Sequence, residues 1–351
     1  MPHTPSRFQK HRFLALGARF RSVWPEAAAL AGLLIALGCG ESPSGGGSTT
    51  LPTSGDPDGP TRLVATIPPV AALLAPMLGP GVEVATLVPA GRSVHGYRCG
   101  PEQLASVARA DALVGVGLGI DTELGAPIDH ARRTGRLILL SEVLGLDPSL
   151  FGDHHDHDHE GAHGDGAAID PEALDPHLWL DPRLAARAVE PLAMSLPPGA
   201  GATHERAHAW RERIEAFDEE ASGALEPHRG TPVITHHRAW VRVLERWGLE
   251  VVAVLRPIDT AEPTPAEIAA AVRAVDEHDA RLVIAEPQLP QPAARRLADR
   301  AGIPVAILDP LGEGEYIALM RRNLRELLEG LEASGGGTAG PSRRMSGSPA
   351  R

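Results

Sequence analysis

Three histidines and one aspartate stand where the chain turns rather than along a helix face. His95 follows a Pro-Gly loop, in Val88-Pro89-Ala90-Gly91-Arg92-Ser93-Val94-His95-Gly96-Tyr97. His177 stands between two Asp-Pro pairs, in Asp175-Pro176-His177-Leu178-Trp179-Leu180-Asp181-Pro182. His237 follows the β-branched run at 233–235, and Asp309 follows the one at 305–308. Imidazole and carboxylate are both metal ligands and acid–base groups, so such a set supports ion binding or zinc-assisted hydrolysis. Taken singly, each histidine has a structural or surface role as its ordinary reading.

A second concentration of histidine has a different character. Asp153-His154-His155-Asp156-His157-Asp158-His159-Glu160, with His163 and Asp165 just after, has no apolar residue to bury and reads as a solvated loop. Imidazoles interleaved with carboxylates bind borderline ions such as Zn²⁺ weakly and in many arrangements, which suits an accessory capture or sensing element.

The elements that must position the punctuated residues are short β-branched runs alternating with helical patterns from Thr61 onward. Runs at 62–66, 82–87, 112–116 and 136–140 predict one set of strands, and those at 231–235, 251–254, 282–285 and 305–308 a second. Residues 202–225 carry charges at helical spacing with no Gly or Pro before Gly223, which predicts a long bridging helix. The expected class is therefore α/β, two lobes each with a mostly parallel sheet flanked by helices, joined by that helix. The expected boundaries are 61–201 for the first lobe, 202–226 for the linking helix, 227–331 for the second lobe and 332–351 for a disordered tail. In open α/β sheets ligands bind outside the carboxyl ends of the strands, which is where His237 and Asp309 fall.

The start of the chain has a basic segment (Arg7 to Arg21), an apolar one from Ala27 to Leu37 and small residues before Cys39. This reads as a signal peptide over 1–38 that is too short to span a bilayer. The Leu-Gly-Cys ending resembles a lipobox, so Cys39 is expected to be lipidated and 39–60, rich in Gly, Ser, Thr and Pro, to be a flexible tether. Simple cleavage with a free Cys39 is the alternative. The expected location is extracytoplasmic, in the periplasm or at the cell surface, anchored by lipid. The only other cysteine is Cys99, so a lipidated mature chain has no intramolecular disulfide.

A formal net charge of −12 argues against nucleic acid as a partner. The single lysine, Lys10, lies in the expected signal peptide, so the mature chain has neither a Walker lysine nor a Schiff-base lysine. Any ATP hydrolysis belongs to another subunit.

Six motifs in order resemble the zinc and manganese substrate-binding proteins of ABC importers. They are Pro89-x-Gly91-x-x-x-His95-x-Tyr97, Pro176-His177-x-Trp179-x-Asp181-Pro182, His237-x-Ala239-Trp240, Glu262-Pro263-x-Pro265, Glu286-Pro287-Gln288 and Leu308-Asp309-Pro310-Leu311-Gly312. The resemblance covers about 62–331 and implies metal held between two lobes by His95, His177, His237 and Asp309. It also implies delivery of the ion to the membrane permease and ATPase subunits of an importer by a monomeric, non-enzymatic receptor. Manganese members typically carry glutamate at the third position, and three imidazoles with one carboxylate suit Zn²⁺ better than Mn²⁺. His236 competes with its neighbour His237 for the third position. Glu286 is expected to support a ligand or to replace one, Cys99 to be a small packed residue, and Tyr97 and Trp179 to keep the cleft dry. A receptor for manganese or another divalent ion, a surface adhesin lipoprotein and a zinc hydrolase are the competing readings; no G-x-S-x-G motif supports a hydrolase.

Overall fold

A computed structural model describes residues 59–146, 175–256 and 263–335. The β-branched runs of the first half form β1 (Arg62–Ala65), β2 (Glu83–Thr86), β3 (Ala112–Gly115) and β4 (Leu137–Leu139). Between and after them lie α1 (Pro68–Leu74), α2 (Pro101–Arg109), α3 (Ala126–Arg133) and α4 (Leu140–Val143). Two helices follow, α5 (Pro182–Ser195) and α6 (His204–Leu225). The second half comprises β5 (Pro232–His237), α7 (Val241–Arg246), β6 (Glu250–Arg256), α8 (Pro265–His278), β7 (Leu282–Ala285), α9 (Pro292–Ala301), β8 (Val305–Ile307) and α10 (Tyr316–Gly335).

All strand pairs are parallel, in the orders β2-β1-β3-β4 and β6-β5-β7-β8. The expected α/β architecture of two parallel sheets flanked by helices is what the protein has. β3 and β7 are buried at every residue, as inner strands covered on both faces must be. Each sheet reverses its strand order beside its first strand, between β1 and β3 and between β5 and β7. Such a reversal opens a crevice at the carboxyl ends, because the connections leave to opposite faces.

One strand end differs from expectation. His237 was expected beyond β5 but is its last residue, since β6 is long enough to continue the ladder to the pair His237↔Arg256. α6 starts at His204 because Thr203 caps it, its side chain accepting from Arg206 N at 3.3 Å. Its buried residues, Ala207, Trp210, Ile214, Phe217, Ala221 and Leu225, recur every three or four positions and make one apolar stripe. Complete burial of Trp210, Ile214 or Phe217 contributes about 1.5–3 kcal/mol each. That stripe belongs to a continuous core running from β1 and α1 through α5 to α7, β7 and α10, while a smaller core lies under α8 and α9.

α10 runs to Gly335, past the boundary expected at 331. Among the described residues no helix is long and apolar enough to cross a membrane. The expected signal peptide, Cys39 and almost all of the tether lie outside the described residues, as do His154, His155, His157, His159, His163 and Glu262.

Candidate metal centre

β5 enters the core as Val233-Ile234-Thr235 and carries His236 and His237 to its carboxyl end, where both are buried. Adjacent strand residues face opposite ways, so only one of the pair can face the crevice. That one is His237. The next strand of the sheet, β7, ends immediately before Glu286, so the β5/β7 crossover brings Glu286 beside it. Glu286 Oε1 lies 3.0 Å from His237 Nδ1, with both side chains buried. A carboxylate accepts, so Nδ1 carries the proton, and Nε2 would be the ligand atom for a metal.

His177 is fixed by a different local device. Asp175 Oδ1 accepts from the His177 backbone N–H at 3.0 Å and lies 2.6 Å from its Nδ1, an Asx turn that also orients the ring. Both side chains are only 4% exposed, so this pair works out of water. Burial alone would raise the Asp175 carboxyl; the His177 ring and backbone N–H and the Arg242 guanidinium outweigh it and hold the pKa below the ordinary value. Leu178–Leu180 then forms a 3-10 turn that buries Trp179 against the His177 ring, with centroids 5.3 Å apart.

His95 comes from the loop after β2. Gly91 and Gly96 take positive φ there, 73° and 72°, which a side chain would strain. Val94 is buried and anchors the loop. The Gly96 N–H donates to the Glu123 carboxylate, and Glu123 sits on the 3-10 turn Ile120–Leu124. That turn is pinned by Asp121, whose Oδ2 accepts from Val116 N at 2.8 Å and Gly117 N at 2.6 Å at the end of β3.

These three segments bring His95, His177 and His237 together, with ligand atoms all within 4.8 Å of one another. The ring centroids are 5.8 Å apart for His95–His177, 5.4 Å for His95–His237 and 4.9 Å for His177–His237. Zn–N bonds of about 2.0–2.1 Å in a tetrahedron set nitrogens about 3.4 Å apart, so side-chain shifts of about an ångström would complete the site.

The remaining expected site residues are distributed as follows. Asp309 is outside the three-histidine group: its Oδ1 accepts from Gln288 Nε2 at 2.6 Å and from Leu311 N at 3.0 Å. A Cβ on Gly312 would come within 2.8 Å of Asp309 Oδ2, so that glycine makes room for the carboxylate. Asn323 of α10 brackets the Asp309 backbone, accepting from its N at 2.7 Å and donating to its O at 2.9 Å. Cys99 is half-buried and, among the described residues, in no disulfide, and burial raises its thiol pKa, which disfavours a thiolate ligand. Tyr97 is half-buried, its hydroxyl accepting from Gln103 Nε2 at 3.4 Å.

Sequence reasoning missed Asp175, Glu123, Gln288 and Asn323. Asp175 alone had a local signal, an Asx residue two positions before the backbone N–H it accepts from.

The segment carrying His177 is bonded chiefly to the second half of the molecule. Trp179 Nε1 donates to Pro310 O at 2.8 Å, Tyr316 Oη to Trp179 O at 2.8 Å, and Arg242 Nη2 to Asp175 O at 2.8 Å. Arg246 Nη2 adds an ion pair to Asp181, also at 2.8 Å.

Known proteins resemble this chain in sequence and in fold. The zinc-binding lipoprotein AdcA of Streptococcus pneumoniae serotype 4 is 28% identical over 295 residues, covering 79% of this chain and 57% of its own. The chain thus spans little more than half the length of that relative. The high-affinity zinc uptake system protein ZnuA of Brucella abortus is 25% identical over 279 residues, covering 71% of this chain and 84% of its own. A solved structure of a zinc-bound ZnuA deletion mutant has the same fold, with a TM-score of 0.61 at 23% identity over 80% of this chain and 99% of its own. With residues 63–330 matching the model of the periplasmic zinc-uptake complex component A, the chain belongs to that family.

Proposed function

We propose that the protein is an extracytoplasmic receptor that captures Zn²⁺ at His95, His177 and His237 and delivers it to an ABC importer. The observation that carries this is the convergence of three imidazoles from three segments, two of them with Nδ1 held by a buried carboxylate. Three neutral nitrogens suit Zn²⁺ over the harder Mn²⁺. Asp309 supplies the fourth, oxygen ligand once it exchanges its bond to Gln288 for the ion. Asp175 and Glu286 are committed to orienting histidines, so neither is placed to activate a water, and the site is one for binding rather than hydrolysis. Lipid anchoring through Cys39 holds the receptor near the permease and its ATPase, and the loop at 153–165 is an accessory to capture.

Competitive titration of Zn²⁺, Mn²⁺ and Cu²⁺ against the mature chain, with and without residues 153–165, tests this reading. One tight equivalent of Zn²⁺ that survives loop deletion is expected. Loss of all tight binding with the loop would overturn it.

A further inference from the structure

A second group of metal-ligating side chains lies on the surface, where α5 packs along α6. Glu190 of α5 and His204 and His208 of α6 have ligand atoms within 4.8 Å of one another, with Glu190 half-buried and both histidines exposed. The cluster is separate from the three-histidine centre: Glu190 is eight residues into α5, about 12 Å along its axis from the end that adjoins His177.

The geometry points to a second divalent-metal site, for Zn²⁺ or an ion of similar borderline character, held by Glu190, His204 and His208 and bridging α5 to α6. Two histidines four residues apart share one helix face and present their rings to a common ion, and here the ring centroids are 6.0 Å apart with planes tilted by 34°. Glu190 faces them from the neighbouring helix, its Oε1 3.0 Å from His208 Nδ1. Three protein ligands leave one coordination position to water. With exposed histidines the site exchanges its ion readily and binds it more weakly than the buried centre.

Arg211 occupies the neighbourhood of this site. Its Nε lies 3.0 Å from Glu190 Oε1 and its Nη2 3.1 Å from His208 Nδ1, while Nη1 holds Glu215 at 2.8 Å. The guanidinium therefore stands where carboxylate and imidazole converge. A divalent ion displaces it as one cation displaces another, and Arg211 can keep its bond to Glu215. His208 Nε2 also lies 3.5 Å from Glu212 Oε1, which places a further carboxylate at the rim.

Titration with Zn²⁺ alone tests the inference, using the full chain in which His154, His155, His157, His159 and His163 are replaced by serine so that the His-rich segment does not contribute. Two classes of site are expected, one tight and one weaker. In that background His204→Asn with His208→Asn should abolish the weaker class and leave the tight one. Arg211→Gln should tighten the weaker class severalfold by removing the competing cation. A single equivalent before substitution, or a weaker class that persists without both histidines, would overturn the inference. So would an Arg211→Gln chain whose weaker class is unchanged or weakened. The exposed positions of His204 and His208 leave the fold intact, and loss of the tight class with His177→Ala reports on the buried centre separately.

Discussion

Glu286 Oε1 lies 3.0 Å from His237 Nδ1 at the point where the second sheet reverses its strand order. The bond joins the ends of two neighbouring strands and fixes both the ring's orientation and its tautomer. Glu286→Ala is expected to weaken Zn²⁺ binding about 10- to 100-fold, with Glu286→Gln falling between it and wild type. Competition against a chromogenic chelator measures this. Unchanged affinity would show that strand geometry alone orients His237.

In the proposed ligand set His177→Ala removes one ligand and should weaken the tight site by several kcal/mol, abolishing the rise in melting temperature expected when Zn²⁺ binds the parent chain. Asp309→Ala should have a comparable effect. If Asp309→Ala binds like wild type, the centre uses three histidines and no carboxylate.

Imidazole must be neutral to bind a metal, so the affinity of a three-histidine centre should fall steeply as pH drops through about 6. Titrations between pH 7.5 and 5 check this. A flat profile would exclude the ligand set.

Asp121 predicts a pH effect on folding. Burial raises its pKa, against the opposing hydrogen bonds from Gly117, Thr66 and Val116. A carboxyl whose folded pKa is raised gives its full stability contribution below the unfolded value of about 4, and that contribution is lost as pH rises through the folded value. Asp121→Asn should therefore lose less stability than wild type over that interval, as read by urea unfolding at a series of pH values. Identical pH profiles would rule this out.

Trp179→Phe keeps a ring beside His177 but leaves the Pro310 carbonyl without its indole donor. A cost of about 1–3 kcal/mol in unfolding free energy is expected for a buried acceptor left unpaired. A smaller loss would mean that water reaches the carbonyl.

All eight strands were legible in the sequence as short apolar, partly β-branched runs bounded by turn residues, the inner ones most plainly because both their faces are covered. His237 was legible because it ends such a run, and His95 and His177 because each stands in a segment punctuated by Pro and Gly or by Asp-Pro pairs. Apart from Asp175, the parts that escaped notice act across longer sequence separations. Gln288 meets Asp309 twenty-one residues on, and Glu123 meets Gly96 twenty-seven residues back. Gln288 stood in the motif Glu286-Pro287-Gln288, but neither it nor Glu123 has a local sign of its partner, since a side chain reaching a distant loop leaves no periodic trace. The end of β5 was misplaced for a related reason: its length depends on β6, a partner that a run of five residues does not reveal.

The bonds from Trp179, Tyr316, Arg242 and Arg246 fasten the His177 segment to the same half of the molecule as His237. His95 alone comes from the loop after β2. The hydrogen-bonded support of the three rings is thus divided two against one, and in the proposed receptor a displacement of the loop at 89–97 would strain an ion's bond to His95 before those to the other two rings. In that receptor, a docking partner pulling on this loop would need to act on only one histidine to start the ion's release.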